Sequence, residues 1–334
     1  MKTKILKDTT EDIKTAAEIL AKGGLVAFPT ETVYGLGADA LNPEAVGNVY
    51  AAKGRPSDNP MIVHIADKKD MLKLTTELST DMEKLMDNFW PGPMTMIVPR
   101  LDIIPYTTTG GLETVGIRMP SSETARKLIE FSGCPVAAPS ANLSGKPSPT
   151  TAEHVVDDLD GRVDAIICGE NCEVGIESTV IDVTEETPMI LRPGIITRAE
   201  IEKVLGKEVL LDPTLNKRPD KFNNEEFKPR APGMKYKHYA PKAEMIIFEG
   251  REEDVKKAIS EEKAKRERDG FKVSVIEFDD SAQEEAAKEY FAMLRDADKN
   301  GCDVILGRAL TEEGVGFSVM NRMLKSAGYN IKKV

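Results

Sequence analysis

Lys53-Gly-Arg55-Pro-Ser57-Asp58-Asn59 and Ser140-Ala-Asn142 are two separated polar clusters, each following a run that reads as a helix or a buried strand. Together they supply fixed cations with hydroxyl and amide groups, the means of holding a triphosphate by side chains. No G-x-x-x-x-G-K-[ST] occurs in the chain, so a P-loop is not available for that task. Gly35-Leu-Gly37-Ala-Asp-Ala40 superficially matches a dinucleotide fingerprint, but Asn42-Pro43 starts the next helix beyond the glycines. That helix does not open from them, its dipole cannot meet a pyrophosphate, and the segment reads as a structural turn.

Other residues stand out by setting. Arg118 lies inside the otherwise apolar run Val115-Gly-Ile-Arg-Met119, and a buried guanidinium needs an anion, either a protein carboxylate or a ligand's. Thr30, Glu31 and Thr32 end a buried strand, where the loops of open α/β sheets build sites. His64 alternates with apolar neighbours, the setting of a satisfied core histidine. Lys53 and Arg55 close a helix and complement its dipole, and Lys53 is expected to leave the core-facing stripe there. Arg192, before Pro193-Gly194, ends another strand. Cys134, Cys168, Cys172 and Cys302 make neither a disulfide framework nor a zinc spacing.

The elements that must position these residues alternate. Ile13, Ala16, Ala17 and Leu20 repeat at helical spacing up to Gly23, and Leu25 to Phe28 reads as a buried strand. Asn42-Pro43 opens a second helix with Val46, Val49 and Tyr50 on one face, followed by a strand from Met61 to Ile65. Thr80-x-x-Glu83 is a capping box for the next helix. Strands over 94–98, 115–119 and 135–138 and a helix over 125–129 continue the pattern. Strands over 165–168, 179–183 and 189–191 follow with few helices between them, so part of the sheet should be antiparallel. A capping box Thr197-x-x-Glu200 opens a last helix. Short apolar strands between helices predict an α/β sheet covered on its faces.

At 334 residues, two domains are expected. From 211 to 241 periodicity gives way to prolines and the basic residues Lys217, Arg218, Lys221, Lys228, Arg230, Lys235 and Lys237, which marks a linker. Its length suits a lid. Beyond it a βαβαβα series over 242–334 predicts a small parallel, Rossmann-like sheet. The net charge of −11 argues against a surface that grips nucleic acid throughout, leaving room only for a local basic groove and a weak RNA contact. The start carries no apolar leader and no run approaches a membrane span, so a cytoplasmic protein is expected.

Phe28-Pro-Thr-Glu-Thr-Val-Tyr-Gly-Leu-Gly37, Lys53-Gly-Arg-Pro56, Asn59-Pro60, Pro139-Ser-Ala-Asn142 and Ser178-Thr-Val180 resemble the YrdC-domain family of threonylcarbamoyl-adenylate synthases. Both halves of its signature, Lys-x-Arg and Ser-x-Asn, are intact. Ala231-Pro-Gly-Met-Lys-Tyr-Lys-His-Tyr-Ala-Pro241, with Ala309-Leu-Thr311 and Met320-Asn-Arg322, is similar to the longer two-domain form. Ala231 departs from the serine usual there and would lose a hydroxyl contact.

The resemblance implies a twisted, open mixed sheet with a central cleft over 1–210, a linker or lid over 211–241 and a Rossmann-like domain over 242–334. It implies that L-threonine, bicarbonate or carbon dioxide, and ATP with Mg²⁺ give threonylcarbamoyl-adenylate and pyrophosphate. A separate transferase then uses the product on an adenosine beside the anticodon of tRNA. Carried over by position, Thr32, His64, Arg118, Ser178 and the backbone at Ala138 would hold threonine. Arg55, Asn59, Thr114, Ser140, Ser148, Arg192 and Ala231 would hold ATP, with Lys53 and Asn142 completing the cleft. Lys53 and Arg55 would neutralise phosphate charge, and no covalent nucleophile or dedicated base is implied, so catalysis rests on preorganisation. The rival readings are a carbamoyl-adenylate-forming maturation enzyme and an RNA-binding module. Absent Cys-x-x-Cys modules disfavour the first, and acidic charge without interleaved aromatics disfavours the second.

Overall fold

The structure, a computed structural model, describes residues 2–215, 229–232 and 238–334. Lys217, Arg218, Lys221, Lys228, Lys235 and Lys237 of the expected linker lie outside the described residues. The chain divides into two units, residues 1–144 with 148–235, and residues 145–147 with 236–334.

In the first unit, α1 (Thr10–Ala21) is capped by Thr9, which accepts from the Asp12 amide, and buries Ile13, Ala16, Ala17 and Leu20. α2 (Pro43–Lys53) opens where Asn42-Pro43 predicts: Asn42 Oδ1 accepts from the amides of Glu44 and Ala45. Gly54 ends it at φ 63°, a conformation glycine adopts without strain. α3 (Thr80–Phe89) is capped by Ser79 rather than by Thr80, because the chain is still extended at Ser79 (φ −83°, ψ 160°) and Thr80 is already helical. α4 (Tyr106–Thr109), α5 (Glu123–Ser132) and α6 (Ala152–Leu159) follow. α7 (Arg198–Leu205) carries the expected Thr197 and Glu200 capping box.

The strands are β1 (Lys4–Lys7), β2 (Val26–Phe28), β3 (Gly35–Asp39), β4 (Ile62–His64), β5 (Met94–Pro99), β6 (Thr114–Arg118), β7 (Val136–Ala137), β8 (Ala165–Cys168), β9 (Thr179–Asp182), β10 (Met189–Arg192) and β11 (Leu210–Leu211). They form one mixed sheet in the order β1-β8-β2-β3-β7-β4-β6-β5-β9-β10-β11. β3 corrects the turn expected at Gly35 to Ala40. Those residues pair antiparallel with β2 and β7 instead. A Cβ on Gly37 would stand 2.8 Å from both Phe28 Cε1 and Val136 Cγ1, so the glycine permits close packing inside a strand. Antiparallel pairing is also wider than expected: it joins β4 to β7 and β5 to β6 as well as β9 to β10, while β8 runs parallel to β1 and β2. Residues 29–34 between β2 and β3 are too few for a crossover helix, so that link can only be a hairpin.

Two apolar layers flank this sheet. α1 and α5 cover β8, β2 and β7 on one face through Ile13, Leu20, Leu128, Phe28, Val136 and Ile167. The opposite face carries the larger core, including Val49, Leu85, Val63, Ile117 and Ile181.

The second unit contains β12 (Glu244–Glu249), α8 (Glu252–Arg268), β13 (Val273–Ile276), α9 (Gln283–Lys299), β14 (Val304–Arg308), α10 (Gly314–Ser326) and β15 (Ile331–Lys333). Its four strands are all parallel, in the order β13-β14-β12-β15, as the Rossmann-like reading expects. β15 is too short and too polar to show in an apolar-run reading.

Candidate active site

Alternation along the central strands separates two faces. Val63, Val115, Ile117, Met96 and Ile181 enter the large core, whereas Ile62, Ile97, Val180 and Leu191 gather on the other face with Ala231. On that second face β6 presents Thr114, Gly116 and Arg118, and β4 presents Ile62 and His64. The register aligns His64 with Arg118, Arg118 beside Thr95, Thr95 with Val180, and Val180 with Arg192. A row that is polar on four strands and interrupted by Val180 on β9 thus crosses one end of an apolar floor.

Arg118 is the centre of that row. Its Nη1 donates to Thr32 Oγ1 at 2.9 Å, and its Nη2 lies 2.8 Å from Glu31 Oε2. Arginine and glutamate side chains are 5% and 6% exposed, so this is a buried ion pair. The contact lies off the N–H direction: Arg118 Nε and Nη2 and Glu31 Oε2 carry no hydrogen bond. Glu31 Oε1 accepts from the Ser121 amide at 3.2 Å, and Thr30 Oγ1 bonds Thr32 Oγ1 at 2.9 Å. The anion left open by the sequence is therefore Glu31, and Arg118 Nε and Nη2 have no hydrogen bond.

Ser178 lies under Arg192, which donates from Nη2 to its hydroxyl and from Nε to its carbonyl, each at 3.0 Å. The Ser178 hydroxyl also bonds Thr95 Oγ1 at 2.8 Å. The turn after Arg192 approaches β9 closely: a Cβ on Gly194 would fall 2.3 Å from the Thr179 amide nitrogen. Gly194→Ala is expected to push Arg192 and Ser178 apart and to destabilise the fold by about 2 kcal/mol, read from the denaturant midpoint.

His64 packs edge-on against Phe28, with ring centroids 6.4 Å apart, and its Nδ1 has no hydrogen-bond partner. Burial first, and then the charges of Arg118 and Arg192, push its pKa down to about 3. The unfolded imidazole takes up its proton near pH 6.5 and the folded one only near pH 3, so stability falls as pH drops between those values. The loss from this group is about 1.4 kcal/mol per pH unit. Urea midpoints at pH 7 and pH 5 should differ less for His64→Gln than for the unsubstituted protein.

The second cluster sits at the other end of the same strands. Lys53 does not leave the core-facing stripe as expected: it is 3% exposed, and its Nζ donates to the carbonyls of Ser140 and Asn142. The turn after β7 closes over the end of α2, and Ser144 N–H returns a bond to Lys53 O at 2.9 Å. Arg55 Nη2 donates to Asn59 O at 3.4 Å and Pro60 O at 3.1 Å. Ser140 Oγ bonds Asn142 Oδ1, and an isolated bridge joins Ser140 to Gly35. Ser148 Oγ donates to Glu177 Oε1. Ala138 N–H donates to Ile62 O at 2.9 Å, so it links the two ends. Thr114 opens β6 and is separated from the His64 and Arg118 row by about 13 Å of strand. Ala231 is fully buried, its methyl group in the apolar floor.

The structure thus joins the Lys-x-Arg and Ser-x-Asn halves through Lys53, and joins Thr32, His64, Arg118, Ser178 and Arg192 in one row. Thr95 and Glu177 are not among the residues the sequence singles out, and Glu31 is singled out only as part of a loop that could build a site. Their signal was a carboxylate or hydroxyl near strand ends, which many residues share.

Residues 18–194 match the Sua5, YciO and YrdC family model described as "Telomere recombination", and residues 196–328 match the threonylcarbamoyl-AMP synthase C-terminal domain. The threonylcarbamoyl-AMP synthase of Pyrococcus abyssi is 47% identical over 332 residues, 96% of each chain. The chain belongs to the threonylcarbamoyl-AMP synthase family. The Bacillus subtilis threonylcarbamoyl-AMP synthase is 43% identical, covering 98% of this chain and 99% of that one. A crystal structure of P. abyssi Sua5 complexed with L-threonine matches with a TM-score of 0.92 and 46% identity over 100% of both chains. Membership in the threonylcarbamoyl-AMP synthase family thus spans both units, not the sheet with the cleft alone.

Proposed function

We propose that this cleft joins L-threonine, bicarbonate or carbon dioxide, and ATP into threonylcarbamoyl-adenylate with release of pyrophosphate. The observation that carries the reading is Arg118: a buried guanidinium whose Nε and Nη2 make no hydrogen bond, beside Thr32, His64 and Ser178. A ligand carboxylate answers that deficit, and the P. abyssi relative has been solved with L-threonine.

In the reaction the threonine amine forms an N–C bond to carbon dioxide with loss of a proton, or to bicarbonate with loss of water, to give the carbamate. One oxygen of its carboxylate bonds to the α-phosphorus, and the bond from that phosphorus to the bridging oxygen breaks, with the electron pair leaving on pyrophosphate. Arg118, Thr32, His64, Ser178 and the Ala138 backbone hold the amino acid. Arg55, Asn59, Thr114, Ser140, Ser148, Arg192 and Ala231 hold ATP, and Lys53 fixes the turn that carries Ser140 and Asn142. These groups position anions and offset charge. Mg²⁺ would be held mainly through the phosphates of ATP. Bound there, the ion would offset phosphate charge.

The product suits a separate transferase that modifies tRNA beside the anticodon, in the cytoplasm. Among the described residues no helix is long and apolar enough to cross a membrane. Pyrophosphate release from ATP, tested with threonine, bicarbonate, carbamoyl phosphate and RNA in turn, decides the reading. Release requiring both threonine and bicarbonate supports it, and release with carbamoyl phosphate alone overturns it in favour of a maturation enzyme.

A further inference from the structure

Two matching turns flank β10. Asp182, the last residue of β9, and Asp212, the residue after β11, each precede a threonine by two positions. Asp182 Oδ1 accepts from the Thr184 amide at 3.0 Å and hydroxyl at 2.6 Å, and Asp212 Oδ1 accepts from the Thr214 amide at 2.8 Å and hydroxyl at 2.6 Å. Both Oδ2 atoms are thereby left for one guanidinium. Arg230 Nη1 lies 2.8 Å from Asp182 and its Nη2 lies 3.5 Å from Asp212.

The two aspartates are 5% and 7% exposed, so they would repel each other without a shared cation. A forked guanidinium reaches both, and a point-like ammonium does not. The next residue, Ala231, is fully buried against Ile62, Ile97, Val180 and Leu191. Burying one methyl group contributes only about 0.8 kcal/mol, too little to hold a chain segment in place. The ionic clasp is the stronger anchor. Along β4 and β5, Ile62 and Ile97 are two positions from His64 and Thr95, on the side toward Thr114, while Val180 stands level with Thr95, so the seat of Ala231 extends from the row toward the nucleotide end.

We propose that Arg230 is a positioning residue: clasped by Asp182 and Asp212, it seats Ala231 as a wall of the nucleotide end of the cleft. This rests on the function proposed above and adds a determinant of ATP binding outside the predicted ligand-holding side chains.

The test uses the full chain, with threonine-dependent pyrophosphate release titrated separately against ATP and threonine. Arg230→Ala is expected to raise KM for ATP about tenfold while KM for threonine stays unchanged, and to lower the unfolding midpoint because the buried Asp182 and Asp212 lose their cation. Asp212→Asn should raise KM for ATP about threefold, and Arg230→Lys should fall between. No change in KM for ATP, or equal rises for both substrates, would overturn the proposal. If Arg230→Ala does not fold, Asp212→Asn decides by the same criterion. If the unsubstituted protein shows no threonine-dependent release, the proposed function fails. ATP dissociation constants of the unsubstituted and Arg230→Ala proteins then decide the clasp, a tenfold difference supporting it and equality sinking it.

Discussion

Arg118→Ala should lower kcat/KM for threonine about a thousandfold, because it removes a buried, charge-assisted anchor for the threonine carboxylate. The same change leaves Glu31 buried without its cation, so a loss of about 3 kcal/mol in folding stability is expected. These two consequences can be separated. Arg118→Met combined with Glu31→Gln replaces both charges and should recover most of the denaturant midpoint, while threonine-dependent pyrophosphate release stays lost. If the double variant regained threonine turnover along with stability, Arg118 would be a structural partner of Glu31 and nothing more.

Lys53→Met is expected to be the second most damaging change. The Lys53 ammonium donates to two carbonyls of the turn that presents Ser140 and Asn142. A hydrogen bond to a charged group contributes about 1.5–3 kcal/mol, so losing both should cost about 3 kcal/mol and release the turn. Turnover measured against ATP should drop about a hundredfold in kcat/KM. A lysine that only screened phosphate would behave otherwise: its removal would raise KM for ATP and leave the unfolding midpoint where it was. Measuring both quantities on one variant distinguishes the roles.

What could be read from the sequence depended on how local the cause was. α1 and α2 are visible because a cap, a periodic face and a terminating glycine all lie within one stretch of chain. The need of Arg118 for an anion is equally visible, since it follows from an arginine in an apolar strand. Which anion it meets is not, because Glu31, on the loop between β2 and β3, comes near it only through the pairing of β3 with β7, β7 with β4 and β4 with β6. Lys53 was misplaced for a related reason: helical spacing puts it at the margin of the α2 face, and a turn from far along the chain then covers it. Gly35 to Ala40 was read as a turn because glycines often mark one, whereas here the missing side chains let Phe28 and Val136 close in. The clasp lay between these cases. Asp-x-Thr is a recognisable local turn, but nothing local says that two such turns share one arginine.

Strand β6 carries Thr114 at one end and Arg118 at the other, with Gly116 between them on the same face. A paired strand in mid-sheet is nearly inextensible, so on the proposed assignment the interval of about 13 Å works as a fixed gauge between amino acid and nucleotide. Amino acids with longer backbones could not be accommodated by moving the two anchors apart. Altered substrate choice would have to come from the side chains around Arg118, or from shifting an anchor by a whole two-residue step along β6.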